Sequence, residues 1–220
     1  ALSPDPRDRN LIIDCKGIRF GLNAYTYGTN ENPIPADRSY LINPLDFDLI
    51  ARDTAWMRSQ GVDVIVICLH AGQEYLSMPD RDQIAYVKRL ESLGVDIILG
   101  NHPHVVQPAE VSSDRRRFCI YSLGNFFSNQ KGELRDIGLI LAVDIRRCAD
   151  SGRIEIAKVE YHPTYVHRWQ EGDRFHYRVL PLDSEESWPL VPERPSRSDV
   201  QQMHEETITR LNAAVTTDLL

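Results

Sequence analysis

Three things are scarce in this sequence. No apolar run approaches the roughly 18 to 20 residues that a membrane span requires, so no spanning helix is expected in these 220 residues. Positive charge is in deficit, with 25 Lys and Arg against 32 Asp and Glu and a net charge of −7. A nucleic-acid partner is therefore excluded on bulk electrostatics, since no basic surplus exists to neutralise phosphates. The one basic cluster, Arg115 to Arg117, is expected at a solvated hairpin tip. Cysteine is sparse: Cys15, Cys68, Cys119 and Cys148 are scattered and form no C-x-x-C pair. That rules against a disulfide framework, and Cys68 and Cys119 fall inside apolar strands, where a thiol behaves as a small hydrophobe. The opening ALSPDPRDRN is polar and proline-bearing and carries no apolar leader core.

What is present suffices for a sizeable core, with 42% hydrophobic residues, and the length suits one large domain plus a tail. Leu11 to Cys15 and Ile18 to Tyr25 flank Lys16-Gly17 and predict a β-hairpin. Residues 27 to 40 are broken by glycine, asparagine and proline into loop. Asp46 to Gln60 reads as a helix capped by Asn43 and stopped by Gly61. Val62 to Leu69 is a strand, Asp80 to Leu93 a helix, and Val95 to Leu99 a second strand. Strand, helix, strand at this spacing is a βαβ unit with parallel strands, and unbroken hydrophobicity in both means both faces are covered. Afterwards Phe118 to Ser122, Ile137 to Ile145, Ile154 to Tyr161 and Phe175 to Leu180 are spaced by turns, as antiparallel strands are. Residues 1–182 thus form the domain, 183–197 a linker rich in proline, serine and charge, and 198–220 a tail helix opened by a Ser198–Gln201 capping box.

Both βαβ strands finish in histidine. GVDVIVICLH ends at His70, and GVDIILGNHPH ends at His102 and His104. Parallel neighbours present their carboxyl ends at one sheet edge, where open α/β sheets bind ligands. Pro103 disfavours the helical region at His102 and predicts extended backbone there, so His102 and His104, two apart, would point the same way. Imidazole is the commonest transition-metal side-chain ligand. A lone histidine is usually a surface or satisfied core residue, which is the reading for His162, His167, His176 and His204. Three at adjacent strand ends mark a metal site. Asp63 and Asp96 start their strands and belong to the opposite edge.

LHAGQEY (69–75), P-x-x-x-Q (79–83), GNHPHVVQPAE (100–110) and YSLGNFFSNQ (121–130) resemble successive motifs of the bacterial CapA family. That family serves poly-γ-glutamate capsule synthesis and related polymer pathways, within the calcineurin-like metallophosphoesterase superfamily. The resemblance runs from about Ile18 to Leu182, with Ala71 where the family often has tryptophan and Asn101 where it often has histidine. It implies a mixed α/β fold, the C-terminal portion of a four-layer αββα sandwich. It further implies that His70, His102 and His104 are metal ligands and catalytic residues, using manganese, iron or zinc. Two metals belong to the complete family domain, and at most one is expected here, because the Gly-Asp and Asn-His ligand motifs of the family's first half are not in this sequence. A missing amino-terminal segment or a second chain is the expected source of the rest. Glu74, Asn101 and Asn125 are candidates to contact substrate or orient a histidine; loop polarity and Gly-Asn turn chemistry are the plainer explanations of Glu74 and Asn125. Tyr75 reads as packing, and YTYGTN (25–30) as a family loop near the pocket.

Three functions remain open. One is a capsule or exopolymer biosynthesis protein with a phosphoesterase-like hydrolase site, acting on a phosphoester or polyanionic polymer. The second is a non-catalytic polymer-binding or export component. The third is a mononuclear His₃ zinc hydrolase. The resemblance also implies a cell-surface, membrane-associated bacterial setting.

Overall fold

A computed structural model describes residue 3 and residues 5–132, 134–184, 188 and 191–215. Part of the predicted linker (185–187, 189 and 190) and the end of the predicted tail (216–220) lie outside the described residues. The fold is mixed α/β. A short helix α1 (Pro6–Arg9) leads into β1 (Leu11–Cys15) and β2 (Ile18–Thr26), then α2 (Phe47–Ser59), β3 (Val64–His70), α3 (Arg81–Ser92) and β4 (Ile97–Asn101). β5 (Ala109–Val111), β6 (Phe118–Ile120), β7 (Ile137–Arg147), β8 (Ile154–Glu171), β9 (Arg174–Pro181) and α4 (Arg197–Leu211) follow.

Six strands form one sheet in the order β1-β2-β3-β4-β6-β5, and β7-β8-β9 form a second, antiparallel sheet. β2, β3, β4 and β6 are mutually parallel. The hairpin through Lys16 and Gly17 turns with φ of 50° and 80°, values glycine accepts freely. β6 departs from expectation. It lies parallel to β4, because the chain crosses through β5 and turns back at Ser112–Arg117. Arg115 is not a free tip either: it donates to the Ile156 and Ala157 carbonyls of β8 at 2.8 Å each.

The unbroken apolar runs are explained by two cores. Successive strand residues face opposite ways, so Ile65, Ile67 and Ile98 pack under α2 and α3 with Ile50, Met57, Ile84 and Leu90. Val64, Val66, Ile97 and Phe118 pack the other way, against Ile137, Leu139 and Leu180 of the second sheet and Val200 and Leu211 of α4. Trp188, inside the predicted linker, is buried in that second core and donates to the Pro181 carbonyl at 2.6 Å.

Helix caps differ from those expected. Asp46 caps α2, while Asn43 donates to Asn23 and the Ala24 carbonyl. Ser196 with Asp199, rather than Ser198 with Gln201, forms the capping box of α4. At α2 the residue next to the helix takes the cap, and at α4 the box starts two residues before the one expected, with Asp199 as the N3 partner of Ser196.

Candidate metal centre

Register brings the histidines together. His70, the last residue of β3, stands opposite Thr26 of β2 and Asn101 of β4, so His102 follows one residue beyond its neighbour. Backbone bonds fix the flanking loops: Tyr27 N–H to His70 O at 3.0 Å, Ala71 N–H to Asn101 O at 3.1 Å, and Tyr75 N–H to Pro103 O at 2.8 Å. The imidazole centres of His70 and His102 are 4.7 Å apart, and those of His102 and His104 6.1 Å.

The backbone route is not the extended one predicted. His102 has φ 109° and His104 φ 62°, so β4 stops at Asn101 and the chain bends through both histidines. Proline's restriction on His102 is met by crossing to positive φ, a region that costs a non-glycine residue about 1–3 kcal/mol. Such strain gathers where surrounding structure holds it for a purpose.

Burial pushes the His70 imidazole below its ordinary pKa of 6.5, and the neighbouring histidines add to this. Burial also lowers His102, against the opposing pull of Glu74. Both are therefore kept neutral, as ligation requires. His104 is oriented by Asn125. The Asn125 amide nitrogen donates to the Arg135 carbonyl (2.8 Å) and Gln130 (3.3 Å), so its oxygen faces His104 Nδ1 at 2.9 Å. Nδ1 is therefore the donor in that bond.

Two imidazoles sharing an ion through bonds of about 2.0–2.1 Å set their ring centres roughly 4.5–5.5 Å apart. His70 and His102 fit this, and His104 stands just outside. Its Nε2 instead faces Glu74 Oε1 at 3.9 Å, beyond a hydrogen bond and somewhat wider than two donors on one ion. Among the described residues no three His, Cys, Asp or Glu side chains close a shell around one ion. The donor chemistry fits a divalent transition metal, and the spacing divides the donors into two pairs.

Asn101 is half-buried at the end of β4 and lines, with the three histidines and Asn125, a cavity of about 660 Å³. Thr26, Asn43 and Cys68 share that lining. Tyr27 went unassigned in the sequence; its ring lies 4.8 Å from His102 and nearly parallel to His70 at 6.1 Å. Only its place in YTYGTN hinted at this. Tyr75 stacks on His104 at 5.9 Å, so it packs, but packs on the site. The glutamine of P-x-x-x-Q, Gln83, is a brace: it reaches Gln107 at 3.0 Å, which donates to the Leu76 and Met78 carbonyls. Gly72 permits this, since a Cβ there would meet Gln83 at 2.3 Å.

The family model described as bacterial capsule synthesis protein PGA_cap matches residues 2–130. A PGA biosynthesis protein CapA of Bacillus subtilis (strain 168) is 31% identical over 131 residues, 58% of this chain and 34% of that protein. A capsule biosynthesis protein CapA of Bacillus anthracis is 41% identical over 68 residues, 31% of this chain and 16% of that protein. The chain thus aligns with about a third of the first relative's length, and less of the second's. Among solved structures, the sulfate thiohydrolase SoxB of Thermus thermophilus overlays 91% of this chain and 28% of its own at a TM-score of 0.43 and 14% identity. The NAD nucleotidase of Haemophilus influenzae overlays 94% and 43% at 0.37 and 10%.

Proposed function

This chain belongs to the bacterial capsule synthesis protein family, and from that premise we propose that it serves the synthesis of a capsule polymer of the poly-γ-glutamate type and carries a metal-dependent, phosphoesterase-like hydrolase site. The observation that carries the reading is the meeting of His70, His102 and His104 at one sheet edge, two of them on strained backbone. His70 and His102 would hold one ion. His104, with Glu74, would offer a second position whose remaining ligands come from outside the described residues. When bound, manganese, iron or zinc supplies Lewis-acid polarisation of a phosphoryl or carbonyl oxygen.

The chain's own residues supply positioning. Tyr27 packs its ring against both imidazoles of the His70–His102 pair. Asn125 holds the His104 tautomer, and the Gln83–Gln107 brace holds the loop bearing Glu74. Asn101 faces the same cavity as a hydrogen-bonding group for substrate. The His₃ mononuclear reading is less supported, because His104 is tied to Asn125 and stands 6.1 Å from His102. The absence of a closed three-donor shell among the described residues is what favours the second reading, a polymer-binding component without turnover. The cell-surface setting belongs to the proposal.

The test is metal content and turnover of a small model phosphodiester, for the chain and for His102→Ala. Manganese or zinc retained by the parent and lost by the variant supports the centre. Metal retained equally by both would overturn it.

A further inference from the structure

Beyond the histidine cavity, the loop after Gly124 leads to an exposed surface in which rings and guanidinium groups alternate. Phe127 and Phe175 are 64% and 50% exposed. Single exposed apolar residues need no explanation, but these are assembled. β8–β9 pairing sets Arg168 opposite Tyr177. The Arg168 guanidinium lies 3.6 Å above the Phe175 ring and 5.9 Å from Tyr177, whose ring takes Phe127 edge-on at 5.8 Å. Asn129 pins this arrangement by accepting from Arg168 (3.1 Å) and the Tyr177 hydroxyl (2.7 Å). Nearer the histidines the pattern repeats, with Arg135 5.0 Å over Tyr75 and Tyr75 stacked on His104.

We propose that this surface is a subsite for an acidic linear polymer, a γ-linked polyglutamate chain, laying methylenes on Phe127, Phe175 and Tyr177 and carboxylates on Arg168. The inference rests on the capsule-polymer reading above. Three features carry it. Arg168 donates from Nη1 to Asn129 and lies 3.6 Å over Phe175, with its Nε buried, so the guanidinium is held in place and its outer Nη edge is what can meet a carboxylate. The chain as a whole is acidic, at −7, so cations fixed over exposed rings are not its general surface. The same loop touches both places: Asn125 bonds His104 and Asn129 bonds the platform. Four residues of chain span at most about 14 Å. A polymer seated on the platform thus lies within a few repeat units of the histidines. A polymer that alternates methylenes with carboxylates matches alternating rings and guanidinium groups; a neutral glycan would use the rings and leave the arginines idle.

The experiment titrates the full chain against a short fluorescein-labelled γ-linked glutamate oligomer by anisotropy, with neutral dextran as competitor. Arg168→Gln, Phe127→Ala and Phe175→Ala are compared with the parent. Arg168→Gln should weaken binding roughly tenfold, the worth of one charge-assisted hydrogen bond. The two phenylalanine variants should each weaken it several-fold, and added salt should weaken the parent more than Arg168→Gln. Phe127 is on an exposed loop, so its variant keeps the test valid if Arg168→Gln misfolds. Unchanged affinity in the folded variants, or dextran displacing the oligomer, would overturn the proposal. Metal content and small-ester turnover separate it from the site reading. Turnover without oligomer binding sinks the platform alone; oligomer binding through Arg168 without turnover or metal sinks the hydrolase reading and leaves the platform standing.

Discussion

The two ends of the same parallel strands are built on opposite principles. At the amino ends of β3 and β4, Asp63 accepts from Arg19 N–H and Arg147 at 2.9 Å each. Asp96 there accepts from Ile65 N–H at 2.7 Å and from Arg58 at 2.6 Å. Both carboxylates at that end thus have a partner of opposite sign and a backbone donor. At the carboxyl ends, three imidazoles gather with, among the described residues, no cation-to-anion approach shorter than the 3.9 Å of Glu74, on backbone with two positive φ values. One end satisfies its charges and serves stability. The other keeps its donors unsaturated and spends stability to aim them, as sites for ligands do.

Substitution at His102 should break that contrast most completely. His102→Ala is expected to abolish retention of manganese or zinc, read by elemental analysis after gel filtration. His102→Gly makes the sharper test. It loses the same ligand, yet glycine relaxes at φ 109°, so the metal-free protein should gain stability, drawing on strain of about 1–3 kcal/mol. For a chain of this size each kcal/mol is worth roughly 2–4 °C in Tm. A His102→Gly variant less stable than the metal-free parent would mean that the bend is not strained.

Gly100→Ala should come next, and it acts through the sheet. A Cβ at Gly100 would lie 1.9 Å from the Tyr121 carbonyl oxygen, inside the sheet where β4 meets β6. Overpacking a buried backbone contact of this kind should cost about 3 kcal/mol or more, lowering the urea midpoint and loosening the histidine end along with it. A Gly100→Ala protein with the parent's midpoint would show that the strands can separate there at little cost.

Much of this was legible in the sequence. The βαβ unit and the placing of His70 beside His102 followed from apolar runs of strand length ending in histidine. Asp63 and Asp96 were assigned to the far edge by position alone, and stand there. Three things were hidden, each for a physical reason. The pre-proline rule predicted extended backbone at His102, because it weighs local sterics and not the loops that clamp His102 from Tyr27 and Tyr75. β6 looked like one more antiparallel strand, since parallel pairing through a short intervening hairpin leaves no periodic trace. Tyr27 acts across loops, and contacts between loops carry no spacing signal.

Asn125→Ala should give a smaller effect, confined to the carboxyl end. It removes the acceptor that fixes the His104 tautomer, and loss of such a partner costs metal affinity about 10- to 100-fold. The effect should show in a competition titration with a chelating dye, with unfolding nearly unchanged. The acid limb of the metal-free protein tests the same end. His70 and His102 have pKa values lowered from 6.5 in the folded state, so the unfolded chain binds more protons in that window. Their contribution is intact above pH 6.5 and is lost as pH falls through the lowered folded values. Metal uptake should follow the same limb.

Asp63→Asn is the smallest of these effects and the one that most sharpens the contrast between the ends. Burial pushes the Asp63 carboxyl upward, but hydrogen bonds from Arg19 N–H and Arg147, with the attraction of Arg147 and Arg58, outweigh it and leave it below its ordinary 3.8. An acid with a lowered folded pKa stabilises above the unfolded value and loses that contribution as pH falls through the folded one. The window therefore opens below pH 3.8, well under the histidine window. Asparagine keeps an oxygen for Arg19 N–H and gives up only the charge. Arg147 is 42% exposed, so solvent screens the pair, and the loss should be about 0.5–1 kcal/mol at neutral pH. Salt should shrink it, acid below pH 3.8 should erase it, and metal affinity should not change. The measurement is urea unfolding of parent and variant at neutral and acid pH, with metal titration at neutral pH. A variant that lost metal affinity as well would show that the two ends of these strands are energetically joined, and that the division of labour between them is false.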